Sequence, residues 1–124
     1  MGIVTDKKLE RVKDKIKISE SQLKRQILDF LRWKGILCWN NRTVGVWNAK
    51  TERYIPAPLK GCSDIFGIIK NKDGKFLAIE CKVGNNLLTP YQEEFLRQIN
   101  ENNGIGIVCY SLEDVERELK EYLK

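Results

Sequence analysis

The apolar positions of this chain recur with two different periods, and the changes from one to the other lay out its elements. Leu9, Val12 and Ile16 fall at helical spacing, so residues 5 to 17 form a predicted helix that packs on the core or on a second subunit. Leu23, Ile27, Phe30 and Leu31 mark one face of a longer helix from Glu20 to Lys34, with Gly35 as its stop. Ile36 to Arg42 and Thr43 to Trp47 have strand patterns, and the polar turn Asn48-Ala49-Lys50-Thr51 leads on to Tyr54 and two prolines. Asp64 to Lys70 and Lys75 to Lys82 are rich in Ile, Phe and Leu, the composition of strands buried on both faces. Pro90 to Asn102 is helical, Ile105 to Tyr110 is a buried strand, and Ser111 caps a final helix. Helix, hairpin strands, helix, strand, helix predicts an α/β sandwich with a mixed central sheet. With 124 residues there is room for one core, so 19–124 is the expected domain and 1–18 a basic helical extension.

The turn Asn71-Lys72-Asp73-Gly74 makes the two apolar runs a hairpin. If Lys72, Asp73 and Gly74 form a three-residue loop with Gly74 left-handed, Asn71 pairs with Lys75. That register sets Asp64 opposite Lys82 and Phe66 opposite Glu80, and alternation then places Asp64, Glu80 and Lys82 on one face. A two-residue loop would instead turn Asp64 to the other face. Two carboxylates from adjacent strands offer the hard anionic oxygens that Mg2+ or Mn2+ prefers, and such an ion activates water and stabilises charge on a phosphoryl oxygen. Lys82 could orient or deprotonate that water if burial and a nearby cation depress its pKa. The plain alternative is that Glu80 and Lys82 merely pair with each other on one strand face.

Gly61-Cys62-Ser63-Asp64, the run Phe76-Leu77-Ala78-Ile79-Glu80-Cys81-Lys82, and Leu88-Thr89-Pro90-Tyr91-Gln92 together resemble the PD-(D/E)xK nuclease superfamily, specifically its VRR-NUC branch. The likeness runs from about Glu20 to Val115, and its short motifs are specific when they occur in this order. It implies a restriction-endonuclease-like core and a metal-dependent DNA endonuclease. It further implies that Asp64 and Glu80 bind the metal with the main-chain carbonyl of Cys81, that Lys82 acts on the attacking water, and that Glu20 and Gln92 assist. The usual proline before the aspartate is Ser63 here, which bears on turn stiffness rather than on ligands. Stand-alone members of this size resemble Holliday-junction resolvases working as homodimers, and the Leu9, Val12 and Ile16 stripe is the candidate two-fold contact. Flap, nicking, repair and restriction-type nucleases, or a DNA-binding module that does not cut, are the competing readings.

Glu20 and Gln92 also have purely structural explanations. Ser19-Glu20-Ser21-Gln22 has the form of a capping box, which makes Glu20 a favourable first-turn carboxylate. Thr89-Pro90-Tyr91-Gln92 is a second helix start, with Thr89 as cap, Pro90 at the first helical position and Gln92 reaching back.

Composition narrows the chemistry further. The chain has no histidine, which excludes Ser-His-Asp, Cys-His and histidine-metal mechanisms. Its four cysteines lack C-x-x-C spacing, so a zinc site would need all of them, and Cys38 and Cys109 have the setting of small core residues with reduced thiols. A net charge of +5 favours a polyanionic partner. Positive charge gathers in residues 7 to 17 and continues through Arg42, Lys50, Arg53 and Lys60, the candidate DNA contacts, whereas the last helix is acidic. Each of these cations has a solvated surface role as its alternative. Trp39, Trp47 and Tyr54 are expected in core or hairpin packing rather than as base-stacking platforms. No apolar run has the length of a membrane span, no signal-peptide pattern opens the chain, and Asp6 breaks a myristoylation pattern after Gly2, so a cytoplasmic protein is expected.

Overall fold

The computed structural model describes residues 18–41, 46–55 and 60–123. The expected helix at 5 to 17, Arg42 and the two prolines after Tyr54 lie outside them. Among the described residues the elements run α1 (Glu20–Trp33), β1 (Leu37–Asn40), β2 (Val46–Asn48), β3 (Arg53–Ile55), β4 (Ile65–Ile69), β5 (Lys75–Cys81), α2 (Pro90–Glu101), β6 (Ile105–Cys109) and α3 (Leu112–Leu119). Four strands make a mixed sheet in the order β1-β4-β5-β6, antiparallel up to β5 and parallel between β5 and β6. No described helix is long and apolar enough to cross a membrane.

One face of the sheet holds the aliphatic core. Period-two alternation turns Ile65 and Ile69 of β4, Leu77, Ile79 and Cys81 of β5, and Ile105, Ile107 and Cys109 of β6 into one cluster. Leu23, Ile27 and Leu31 of α1 and Val115 and Leu119 of α3, spaced four residues apart within each helix, close over it. The other face is aromatic. Phe66 of β4 stands 5.1 Å from Phe76 of β5 and 6.0 Å from Phe95 of α2, while Trp39 of β1 meets Phe66 edge-on at 6.1 Å.

Small residues let α2 lie close to this second face. A Cβ on Gly106 would stand 2.8 Å from the Leu96 carbonyl oxygen, so only glycine fits there. The same approach lets the Asn100 side chain pair with both backbone groups of Gly106, accepting at 2.8 Å and donating at 3.2 Å. That contact occupies part of the sheet edge that β6 would otherwise leave open.

The β4–β5 hairpin corrects the expected register. Ile69 pairs with Lys75, Phe66 faces Ala78 rather than Glu80, and Asp64 is not opposite Lys82. A 3-10 turn at Lys70–Lys72 followed by left-handed Asp73 and Gly74 makes the connection longer than the three residues expected. Aspartate tolerates the left-handed region, which lets it share the turn with glycine. The displacement is two residues, so every side chain keeps its face, and Asp64, just before β4, comes level with Glu80.

β2 and β3 form a separate hairpin, with Trp47 facing Tyr54 and Asn48 facing Arg53. The Asn48 side chain builds its turn by accepting from the backbone N–H groups of Lys50 at 3.0 Å and Thr51 at 3.3 Å. Trp47 and Tyr54 are 63% and 62% exposed, so they pack in a hairpin, as one expectation had it, but not in the core. A two-stranded ribbon has no second layer to cover such side chains. Trp39 is also partly exposed, at the outer rim of the aromatic cluster.

Candidate active site

Asp64 reaches its position through the restraints that Gly61 and Asn41 place on the segment that precedes β4. Gly61 has φ +79°, and a Cβ there would come within 2.4 Å of the Tyr91 carbonyl oxygen, so this segment is pressed against the first turn of α2. Asn41, just after β1, holds the next residues. Its amide donates to Cys62 Sγ at 3.1 Å and to the Ser63 carbonyl at 3.3 Å, and its backbone N–H donates to the Asp64 carbonyl at 2.7 Å. Ser63 stands where the resembled motif has proline, fully buried, its hydroxyl without a partner among the described residues.

Glu80 arrives from the other strand, one residue before the end of β5. Asp64 and Glu80 are each only 3% exposed, which is rare for carboxylates and requires compensation. Asp64 Oδ2 accepts from the Cys81 backbone N–H at 2.8 Å, and Asp64 Oδ1 lies 3.3 Å from the Lys24 ammonium. Glu80 Oε1 accepts from Gln92 Nε2 at 3.1 Å and lies 4.0 Å from Lys82 Nζ. Glu80 Oε2 has no donor among the described residues.

The missing donor and the titration of Glu80 have one cause. Burial, and then the Asp64 charge beside it, push the Glu80 carboxyl from its ordinary 4.5 up to about 8. The Asp64 hydrogen bond and the more remote Glu20 charge add to the rise, and Lys82 opposes it. Two ionised carboxylates offer only acceptors to each other, so either a proton or a cation must be shared between them.

Gln92 is both a cap and part of this cluster. Its Oε1 accepts from the Thr89 backbone N–H at 2.9 Å, Thr89 Oγ1 accepts from the Gln92 N–H at 3.2 Å, and the remaining amide hydrogens are free to fix Glu80. Glu20 lies in the first turn of α1 behind the Ser19–Gln22 box, near enough to act on Glu80 through its charge. Cys81 turns its side chain into the core, with its Sγ 3.8 Å from Cys109 Sγ, leaving only its main chain for the cluster. The Cys109 hydrogen bond and burial push the Cys81 thiol well above its usual range, and burial raises those of Cys38 and Cys62. These cysteines stay protonated near neutral pH, so they bring no thiolate chemistry.

Asp64, Glu80, Lys82, Gln92 and the Cys81 main chain therefore meet at one end of the sheet, with Glu20 close by. Two participants had not been expected. Lys24 lies one helical turn beyond Glu20, a spacing that could have signalled it. Asn41 follows β1 in a segment whose local pattern gives no such hint. Of the candidate DNA contacts, Lys60 places its ammonium 4.0 Å from the centroid of the Tyr91 ring, beside the start of α2. Lys50 and Arg53 are exposed on the β2–β3 hairpin, with no described hydrogen bond or ion pair to the carboxylates.

Among the described residues no group of three or more His, Cys, Asp or Glu is placed to hold a metal ion. A cation here would rest on two carboxylates, a main-chain oxygen and solvent or substrate oxygens, the donor set that small hard ions accept. The donor-free oxygen of Glu80, buried against Asp64, fits such an ion. No protein-family model, curated protein or solved structure matches the chain.

Proposed function

We propose that this chain is a Mg2+- or Mn2+-dependent endonuclease of the PD-(D/E)xK kind, with a restriction-endonuclease-like core, acting on branched DNA. The observation that carries the proposal is the buried Asp64–Glu80 pair, one oxygen of which lacks a donor among the described residues, with Lys82 beside it just past the end of the strand that carries Glu80. The order of its motifs, resembling the VRR-NUC branch, supports DNA as the substrate and a homodimer as the working form.

Asp64 and Glu80, with the Cys81 carbonyl, would hold the cation. When bound, it polarises the scissile phosphate and lowers the pKa of water nearby. The chain's own groups do the positioning. The Cys81 N–H fixes one oxygen of Asp64, and Gln92 fixes one oxygen of Glu80, so neither carboxylate has to reorganise when substrate arrives. Lys82, mostly buried at the cluster, offers an ammonium that can orient the attacking water and later balance charge on the phosphate. Lys60, on the ring of Tyr91 next to Gln92 in the chain, is the candidate phosphate contact beside the start of α2.

The test is incubation of the wild type and Lys82→Ala with a labelled four-way junction and a linear duplex of the same sequence, in Mg2+, Mn2+ or EDTA. Paired metal-dependent cuts near the junction centre, at least about a thousandfold slower in the variant, are expected. Tight binding without cleavage in any metal would replace the nuclease with a DNA-binding module. Equal cutting of both substrates would keep the nuclease and remove junction selectivity.

A further inference from the structure

Asp64 and Glu80 share two lysines unequally. Lys82 stands 4.0 Å from Glu80, whereas Lys24 reaches from α1 to within 3.3 Å of Asp64. Oδ2 of Asp64 already accepts from the Cys81 N–H, so Oδ1 is the oxygen with more acceptor capacity to spare, and it is the one Lys24 approaches. The Lys24 side chain is only 24% exposed, so its ammonium is held at the carboxylate instead of moving freely in solvent. Leu23 and Ile27, both fully buried, fix the turn of α1 that carries it. An ammonium on a four-carbon stem is also the side chain best able to leave such a contact and find another anion.

We propose that Lys24 is a built-in counter-ion for the metal site. It neutralises Asp64 while the protein is free of metal, competes with the divalent cation for Oδ1, and turns to a phosphate oxygen of the substrate once displaced. This inference rests on geometry for its first step, on the metal site of the proposed function for its second and on the nuclease reading for its last. A cation held against a buried carboxylate keeps the acid pair folded, at the cost of weakening the binding of any other cation there.

The experiment measures Mn2+ affinity calorimetrically at pH 8.5, without DNA, for the wild type, Lys24→Met and Lys24→Arg, together with thermal unfolding in EDTA. Lys24→Met should bind Mn2+ about tenfold more tightly and melt lower in EDTA, and Lys24→Arg should stay near the wild type in both. A merely structural lysine would not raise metal affinity when removed, so the direction of the change discriminates. Lys24→Gln takes the place of the methionine variant if circular dichroism shows that the latter does not fold. Unchanged or weaker affinity in the neutral variant, or no Mn2+ binding by any of these proteins, overturns the inference. The expected order of affinities in a protein that cuts no DNA would uphold Lys24 as the counter-ion while removing the nuclease.

Discussion

The chain starts two helices with the same device and uses the two starts differently. In α1, Ser19 Oγ accepts from the Gln22 N–H at 3.2 Å and Gln22 Oε1 accepts from the Ser19 N–H at 2.7 Å. In α2, Thr89 and Gln92 repeat this pair of bonds at 3.2 and 2.9 Å. Gln22 is exposed, but Gln92 is half-buried and spends its amide nitrogen on Glu80. The local motif therefore satisfies the helix end in both places, and tertiary placement decides whether it also orients a buried carboxylate. A cap that already fixes its side chain makes a pre-organised donor, because the rotamer is set before the second contact forms.

The strongest test of this contrast is Gln92→Ala. It should lower metal-dependent cleavage by about 10- to 100-fold, the usual cost of losing a partner that orients a metal-binding side chain. It should also reduce stability by about 1 to 2 kcal/mol through the lost cap, measured by urea unfolding. Wild-type cleavage by this variant would reduce Gln92 to a cap like its counterpart. Next in size is Gly61→Ala, which strains a backbone at φ +79° and forces the segment before Asp64 away from α2. A destabilisation of about 1 to 3 kcal/mol is expected, with cleavage lowered beyond what the unfolded fraction explains. Gln22→Ala should give the smallest effect, about 1 kcal/mol of stability with cleavage per folded molecule unchanged. A loss of cleavage there as deep as in Gln92→Ala would break the comparison.

Much of this arrangement was legible in the residues because its causes are local. The spacing of Leu23, Ile27 and Leu31 set the buried stripe of α1, and Ser19, Thr89 and Ser111 marked the starts of the three described α-helices where capping chemistry places them. The common face of Asp64 and Glu80 survived an incorrect register, since a two-residue displacement leaves strand parity intact. What escaped the pattern were features set by the turn and by distant contacts. Asp73 joined Gly74 in the left-handed region and lengthened the hairpin connection, and β3 formed around Tyr54 from a segment expected only to lead out of a turn. Trp47 and Tyr54 could be assigned to hairpin pairing from composition, but their exposure depends on whether another layer covers the ribbon. The contacts of Lys24 with Asp64 and of Asn41 with Cys62 join elements far apart in sequence, which no local period records.

The central proposal is that Glu80 keeps a proton beside Asp64 in the metal-free protein, where a divalent cation would otherwise bind. Glu80 binds its proton more tightly when folded, with its carboxyl raised from 4.5 to about 8. Its contribution to stability is therefore complete below pH 4.5 and declines as pH rises towards 8, because the unfolded chain releases that proton first. A bound cation reverses the trend, and its affinity should climb with pH over the same interval. The most direct measurement is calorimetric titration of Mn2+ into the wild type and Glu80→Gln at pH 7, in two buffers of different ionisation enthalpy. The account predicts release of about one proton per ion by the wild type, with binding at least about tenfold weaker and no such release in Glu80→Gln. Absence of Mn2+ binding, or equal binding by both proteins without proton release, would contradict it.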